Sequence, residues 1–275
     1  MKGCSLIMKK EGKKDDLSQL YESSVSVEER SKHGQYFTHK ELVKLILNKF
    51  KITSKSKVLD PTCGAGAFLI EALNQTDINN IYGVDIDERA LALCRQNLKS
   101  KSNINSQNLI RGDFINDSIF EKESFDVIIG NPPFQNLNAN GSDYDINYPI
   151  YKEVLFGVGN SATLILAKSL ELLKEDGYLG FVLPKNIIRV ESFQKIRDYL
   201  LKNSKIISIV DVDHHFKDVR CDQILLIIQK KKLNSEELKK HLVSITPYRK
   251  SVELINQESY SIPQSEFFNY SFYPL

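Results

Sequence analysis

Four consecutive residues, Asn131-Pro132-Pro133-Phe134, carry the most specific chemistry in this chain. They directly follow the apolar run Phe125-Asp126-Val127-Ile128-Ile129, which reads as a buried strand. The tetrapeptide therefore stands at a strand's carboxyl end, where ligands bind in open α/β sheets. Two consecutive prolines cannot continue a ladder, because both lack an N–H and both fix φ. The backbone must leave the sheet here in one stiff shape. It then presents an amide side chain, main-chain carbonyls and an aromatic ring. That set suits gripping a planar base with an exocyclic amino group. The Asn131 amide oxygen and the Asn131 or Pro132 carbonyl accept the two amino protons, and the Phe134 ring stacks on the base face.

A second constellation precedes it. Asp60-Pro61-Thr62-Cys63-Gly64-Ala65-Gly66 follows a strand and opens a helix. Glycines there let the backbone approach a ligand closely, and the helix start offers N–H groups to an anion. A dinucleotide fingerprint would need glycine at position 69, where Leu69 stands. Asp85 ends the next strand and can bind both hydroxyls of a ribose. Asp113 and Phe114, after the third strand, can accept from an adenine amino group and stack on its ring. Each feature alone has a plain structural explanation. Glycines serve tight packing, Asp85 and Asp87 can cap the helix from Glu88, and Asp113 can simply turn the chain. Three in register on successive strand ends describe S-adenosylmethionine.

These residues need strands and helices in alternation, and the pattern supplies them. Leu42, Val43, Ile46 and Leu47 mark a helix face. Strands are expected over 57–60, 81–85, 108–111, 125–129, 178–183, 206–212 and 223–229. Helices are expected over 67–73, 88–98, 162–173 and 193–201. Alternation implies right-handed crossovers and a mainly parallel sheet. The last two strands have only residues 213–222 between them, so the final strand is expected antiparallel. Residues 135–149, rich in asparagine, are expected as a lid over the base pocket. Residues 1–30 read as a polar tail with one short helix near Leu17, 31–232 as the catalytic domain, and 233–275 as a linker or the start of a missing recognition region.

Composition fits a soluble globular protein, with 41% hydrophobic and 26% charged residues. The net charge of +2 advertises no polyanion partner, so any nucleic-acid surface must be a local patch. Cys4, Cys63, Cys94 and Cys221 show no metal spacing, which points to a reducing cytoplasm and no metal. No run approaches a membrane span.

The residues resemble the adenine-N6 DNA methyltransferases of restriction–modification systems, in the motif order of their gamma class. Gly34-Gln35-Tyr36-Phe37-Thr38 stands before the glycine loop, and Asn131-Pro132-Pro133-Phe134 after it. The resemblance covers roughly residues 31–232 and implies a Rossmann-like S-adenosylmethionine-dependent methyltransferase fold. That fold is α/β, with a mainly parallel seven-stranded sheet and a terminal antiparallel strand. It implies a cofactor site of Tyr36, Thr38, Asp60, Thr62, Gly64 and Gly66, completed by Asp85, Ile86, Asp113, Phe114 and Asn131. Thr38 would contact the methionine carboxylate. Asn131 and Pro132 would hold the target amine and Phe134 would stack on the base, with Pro133 completing the catalytic tetrapeptide. The segment His214-His215-Phe216 resembles a second base-stacking motif, with Phe216 the candidate and a core phenylalanine the alternative.

The reaction so implied is methyl transfer to N6 of a flipped adenine in double-stranded DNA. No cysteine follows a proline, so a cytosine-C5 thiolate mechanism has no nucleophile. Family members carry a sizeable recognition domain or work with a separate specificity subunit, and a restriction endonuclease is a further expected partner. Lys185 and Arg189 are candidates for a DNA-facing rim, ordinary solvated charge being the alternative. Competing readings are an RNA adenine-N6 or protein-glutamine methyltransferase, against which residues 34–38 argue, and a non-catalytic modification subunit.

Overall fold

The computed structural model describes residues 40–99, 108–138, 144, 148–155, 159–212, 222–248 and 256–269. Tyr36, Thr38, the short N-terminal helix and Phe216 lie outside them.

Helix α1 (Lys40–Leu47) is followed by β1 (Val58–Asp60), α2 (Ala67–Ala72), β2 (Ile81–Asp85), α3 (Glu88–Lys99), β3 (Leu109–Arg111) and β4 (Phe125–Gly130). Then come α4 (Pro149–Val154), α5 (Ser161–Leu172), β5 (Leu173–Pro184), α6 (Asn186–Arg189), α7 (Gln194–Asn203), β6 (Ser204–Asp211) and β7 (Gln223–Lys230). Helix α8 (Ser235–Lys240), β8 (Leu242–Thr246) and β9 (Tyr260–Pro263) follow, and a 3-10 helix (Gln264–Asn269) closes the described chain.

The strands form one sheet in the order β3-β2-β1-β4-β5-β7-β6-β8-β9. Pairing is parallel from β3 to β5, and β7 runs antiparallel between β5 and β6. The final strand expected as antiparallel is therefore an interior strand. Its run Ile224-Leu225-Leu226-Ile227-Ile228 is buried on both faces, as that place requires. Among the described residues the sheet has nine strands where seven were expected, since β8 pairs parallel with β6 and β9 antiparallel with β8. Gln264, fully buried, fastens this added end. Its Oε1 accepts the Ile206 N–H at 2.8 Å and its Nε2 donates to the Ser204 carbonyl at 2.9 Å.

Side-chain alternation splits the core between the two faces. Leu59, Ile128, Phe181 and Leu226 pack under α4, α5 and α7, whereas Val58, Val127, Val182 and Leu225 pack under α1, α2 and α3. The predicted stripe of α1 is buried as a unit, Leu42, Val43, Ile46 and Leu47 each being at most 2% exposed. No helix among the described residues is long and apolar enough to cross a membrane.

Helix α1 reaches the sheet because β5 has glycine beneath it. A Cβ at Gly180 would lie 2.5 Å from Ile46 Cγ2 and 2.7 Å from Phe50 Cζ. Gly180→Ala should therefore displace α1 and cost about 1–3 kcal/mol, as overpacking does. Urea unfolding would read this as a lower midpoint at unchanged m. An unaltered midpoint would show that α1 yields without loss.

Candidate functional site

Strand order reverses between β1 and β4, and the crevice beyond their carboxyl ends is where such sheets bind ligands. Asp60 ends β1, Asp85 ends β2, Asp113 follows β3 and Asn131 follows β4. The four expected positions thus line one edge of the sheet.

The loop after β1 is shaped by its neighbours. Cys63 N–H donates to the Val84 carbonyl at 2.8 Å and Gly64 N–H to Asp85 Oδ2 at 2.7 Å. Asp85 Oδ1 accepts the Asp87 N–H at 2.9 Å. Sequence reasoning assigned Asp85 to a ribose but missed that its carboxylate also organises the glycine loop. The carboxylate as a whole retains acceptor capacity for a ligand. Gly64 and Gly66 both have positive φ, 52° and 87°. They differ in surroundings. A Cβ on Gly66 would meet Cys94 Sγ at 2.6 Å, whereas one on Gly64 would meet nothing within 4 Å. Gly64 is therefore the open face of the loop. The Thr62 hydroxyl is buried with no hydrogen-bond partner among the described residues. The Cys63 thiol is pushed well up by its contact with Cys94 and by burial, so it packs as a thiol rather than acting as a nucleophile.

Asp113 anchors a tight turn. Its Oδ1 accepts the Ile115 N–H at 2.9 Å and its Oδ2 accepts from Asn116 Nδ2 at 2.7 Å. Phe114 is only 4% exposed, and the Lys168 ammonium lies 5.3 Å from its ring centroid. Ile86, 60% exposed, is the apolar side chain that stands open at this corner.

The tetrapeptide is clamped by the start of α5. Ser161 Oγ donates to the Pro133 carbonyl at 2.5 Å and accepts the Gln135 N–H at 3.0 Å. Ser161 N–H donates to the Gln135 carbonyl at 2.9 Å, and Leu137 N–H to the Gly159 carbonyl at 2.8 Å. Asn136 and Asn160 form an isolated antiparallel bridge. Pro132 is buried, while Asn131, Pro133 and Phe134 are half-buried. The stretch expected as a lid from residue 135 is thus pinned at its first residues. Its far end is also built in, as Tyr148 caps α4 and packs on Tyr151 with ring centroids 4.8 Å apart.

Of the two rim candidates, Lys185 is engaged in an ion pair. Lys185 Nζ sits 2.5 Å from Asp211 Oδ2, with side chains 12% and 5% exposed, so it forms a buried pair at the ends of β5 and β6. Arg189 remains exposed. The segment holding Phe216 lies outside the described residues.

Asp60 is 1% exposed, and its carboxyl is pushed from the usual 3.8 up to about 8. Burial is the largest cause, the Thr62 N–H opposes it, and the Asp85 charge adds to it. The folded protein thus holds a proton here that the unfolded chain releases above about pH 4. Stability from this group is full below that point and falls as pH rises toward about 8. Asp60→Asn should flatten the slope of unfolding free energy between about pH 5 and about pH 8, by up to about 1.4 kcal/mol per pH unit. Urea titrations across that window read it, and parallel slopes in both proteins would show an already ionised Asp60.

Comparison with known proteins shows the family. The sequence profile of the N-6 DNA Methylase family matches residues 12–264. The Type II methyltransferase M.VspI of Vibrio sp. (strain 343) is 31% identical over 232 residues, covering 82% of this chain and 55% of that protein. The Type II methyltransferase M.AccI of Acinetobacter calcoaceticus is 26% identical over 265 residues, or 91% and 47% of the two chains. The chain therefore spans about half the length of these curated relatives. Among solved structures, the type IIG restriction endonuclease BpuSI superposes with a TM-score of 0.70 at 17% identity, covering 93% of this chain and 34% of that one. That likeness speaks for the fold. With the profile spanning the glycine loop, both strand-end acids and the tetrapeptide, this chain belongs to the N-6 DNA methylase family.

Proposed function

We propose that this chain transfers a methyl group from S-adenosylmethionine to N6 of a flipped adenine in DNA, as the modification enzyme of a restriction–modification system. The observation that carries this reading is the placement of Asn131-Pro132-Pro133-Phe134 at the end of β4, beside the glycine loop of β1 at the reversal of strand order.

The residues fit the cofactor. Gly64 leaves an open face, the buried Thr62 hydroxyl has unused hydrogen-bonding capacity, and Asp85 offers lone pairs to a ribose. Asp113 would accept from the adenine amino group; Phe114, expected to stack on the ring, is 4% exposed and would back the turn, which leaves the open Ile86 side chain to cover the ring. A sulfonium or ammonium cation near Asp60 would favour its ionised form. Tyr36 and Thr38 complete the proposed site. Bound S-adenosylmethionine supplies an electrophilic methyl group.

The chain's own part is orientation. Ser161 engages the Pro133 carbonyl, so accepting the target amine falls to the Asn131 amide oxygen and the Asn131 or Pro132 carbonyl. Two acceptors draw the amino nitrogen toward tetrahedral geometry and aim its lone pair. The proton can leave after transfer, so no base is required. Positioning and fixed dipoles supply most of the acceleration. Flipping costs a few kcal/mol. Stacking on Phe134, with Phe216 as the proposed second ring, offsets about 1–3 kcal/mol per ring. A recognition region outside the sheet, which β8 and β9 extend to Pro263, or a separate specificity subunit, would select the target. A restriction endonuclease would share that target in the cytoplasm.

Asn131→Ala should abolish radiolabel transfer to adenine-containing duplex DNA while cofactor binding changes far less, since Asn131 would touch the target amine and not the cofactor's ribose or adenine. Near wild-type transfer would sink the mechanism, and transfer to RNA or a release-factor-like protein in preference to DNA would redirect the substrate. Asp85→Ala should weaken cofactor binding by about 1–3 kcal/mol, through lost hydroxyl partners and a loosened loop. Calorimetric titration with unchanged affinity would remove the ribose assignment. The 275-residue chain should bind unrelated duplexes alike and ever more weakly as salt rises. Tight gel-shift binding of one duplex only, at physiological salt, would place recognition within these residues.

A further inference from the structure

The turn after β3 is held from outside as well as from within. Lys168, on α5, is 3% exposed. Its Nζ donates to the Asp117 carbonyl at 2.9 Å and to the Ile115 carbonyl at 3.3 Å. It lies 5.3 Å from the centroid of Phe114 and 4.8 Å from that of Tyr148. Tyr151, on α4, donates its hydroxyl to the same Ile115 carbonyl at 2.6 Å. Burying an ammonium is costly unless oxygens and ring faces satisfy it. An apolar residue would fill this space on a buried helix at less cost. The charge does what such a residue could not. It ties two carbonyls and two rings into a single arrangement at the turn that Asp113 opens.

The same helix begins with Ser161, which holds the Pro133 carbonyl. Ser161 and Lys168 are seven residues apart, on one stripe of α5 and roughly 10 Å apart along its axis. One rigid element therefore grips the target-amine loop at one end and the turn at residues 113–117 further along.

We propose that Lys168 is a positioning residue for the cofactor's adenine. It locks the turn in the shape that reads the adenine amino group and, through α5, sets that turn at fixed reach from the target-amine loop. This rests on the reading of Asp113 as the adenine acceptor.

Calorimetric titration with S-adenosylhomocysteine and its deaminated analogue S-inosylhomocysteine tests it. The wild-type protein should prefer the adenine form by about tenfold or more, since a site built to hydrogen-bond a group rejects the analogue lacking it. Lys168→Met should reduce that preference to within about threefold, with the inosine form binding as before. A general packing defect would weaken both ligands alike and leave the ratio standing, and that result overturns the proposal. Asp113→Ala is the reference. If it preserves the ratio, the adenine reading fails and the proposal with it. If Asp113→Ala collapses the ratio and Lys168→Met does not, only the role of Lys168 falls. Should Lys168→Met not fold, Tyr151→Phe decides, because it removes one donor from the Ile115 carbonyl. A ratio lowered about threefold supports the proposal, and an unchanged ratio overturns it.

Discussion

Gly130 has no side chain, and the carboxyl edge of the sheet depends on that. A Cβ there would stand 2.8 Å from Asp60 Oδ1. The space it leaves is filled by the Asp60 carboxyl, which accepts the Thr62 N–H and so starts the glycine loop. One residue later the chain reaches Asn131. The two halves of the crevice therefore share a wall with no atom to spare. Any larger residue at position 130 would push the acid of β1 and the amide after β4 apart, and neither loop could keep its place.

Two strand ends in contact do not yet make rigid loops. On the β1 side, Asp85 reaches across from β2 to hold the Gly64 N–H. On the β4 side, two prolines remove backbone freedom and Ser161 takes up the carbonyl that they leave exposed. Each loop is thus ordered by a side chain from another element. Preorganisation of this kind is what a reaction driven by orientation requires.

Much of this was legible in the chain because the signals are local. The apolar run of β4 ends in prolines, the glycines sit at a strand-to-helix turn, and Asp60, Asp85 and Asp113 each close an apolar segment. Where signals are short or distant, reading fails. Helix α4 has six residues with no side-chain cap, and only Pro149 at its first turn announces it. Helix α8 could have been found, since Asn234 and Glu237 form a capping box. Strand β8 buries Val243 and Ile245 on alternate positions, but five residues in a polar, proline-dotted tail give little contrast. The Ser161 clamp, the Lys168 contacts and the Lys185–Asp211 pair join segments far apart in the chain. No local pattern encodes them.

The sheet ends in short strands on both sides among the described residues, three residues in β3 and four in β9. Outer strands expose unpaired N–H and C=O groups that can template the addition of foreign strands. A brief edge offers few such groups, and Pro263 removes one donor from β9. The long strands β5 and β7 lie inside the sheet, β5 between β4 and β7, and β7 between β5 and β6. This ordering keeps a wide hydrophobic sheet from presenting, among the described residues, a long template to foreign strands.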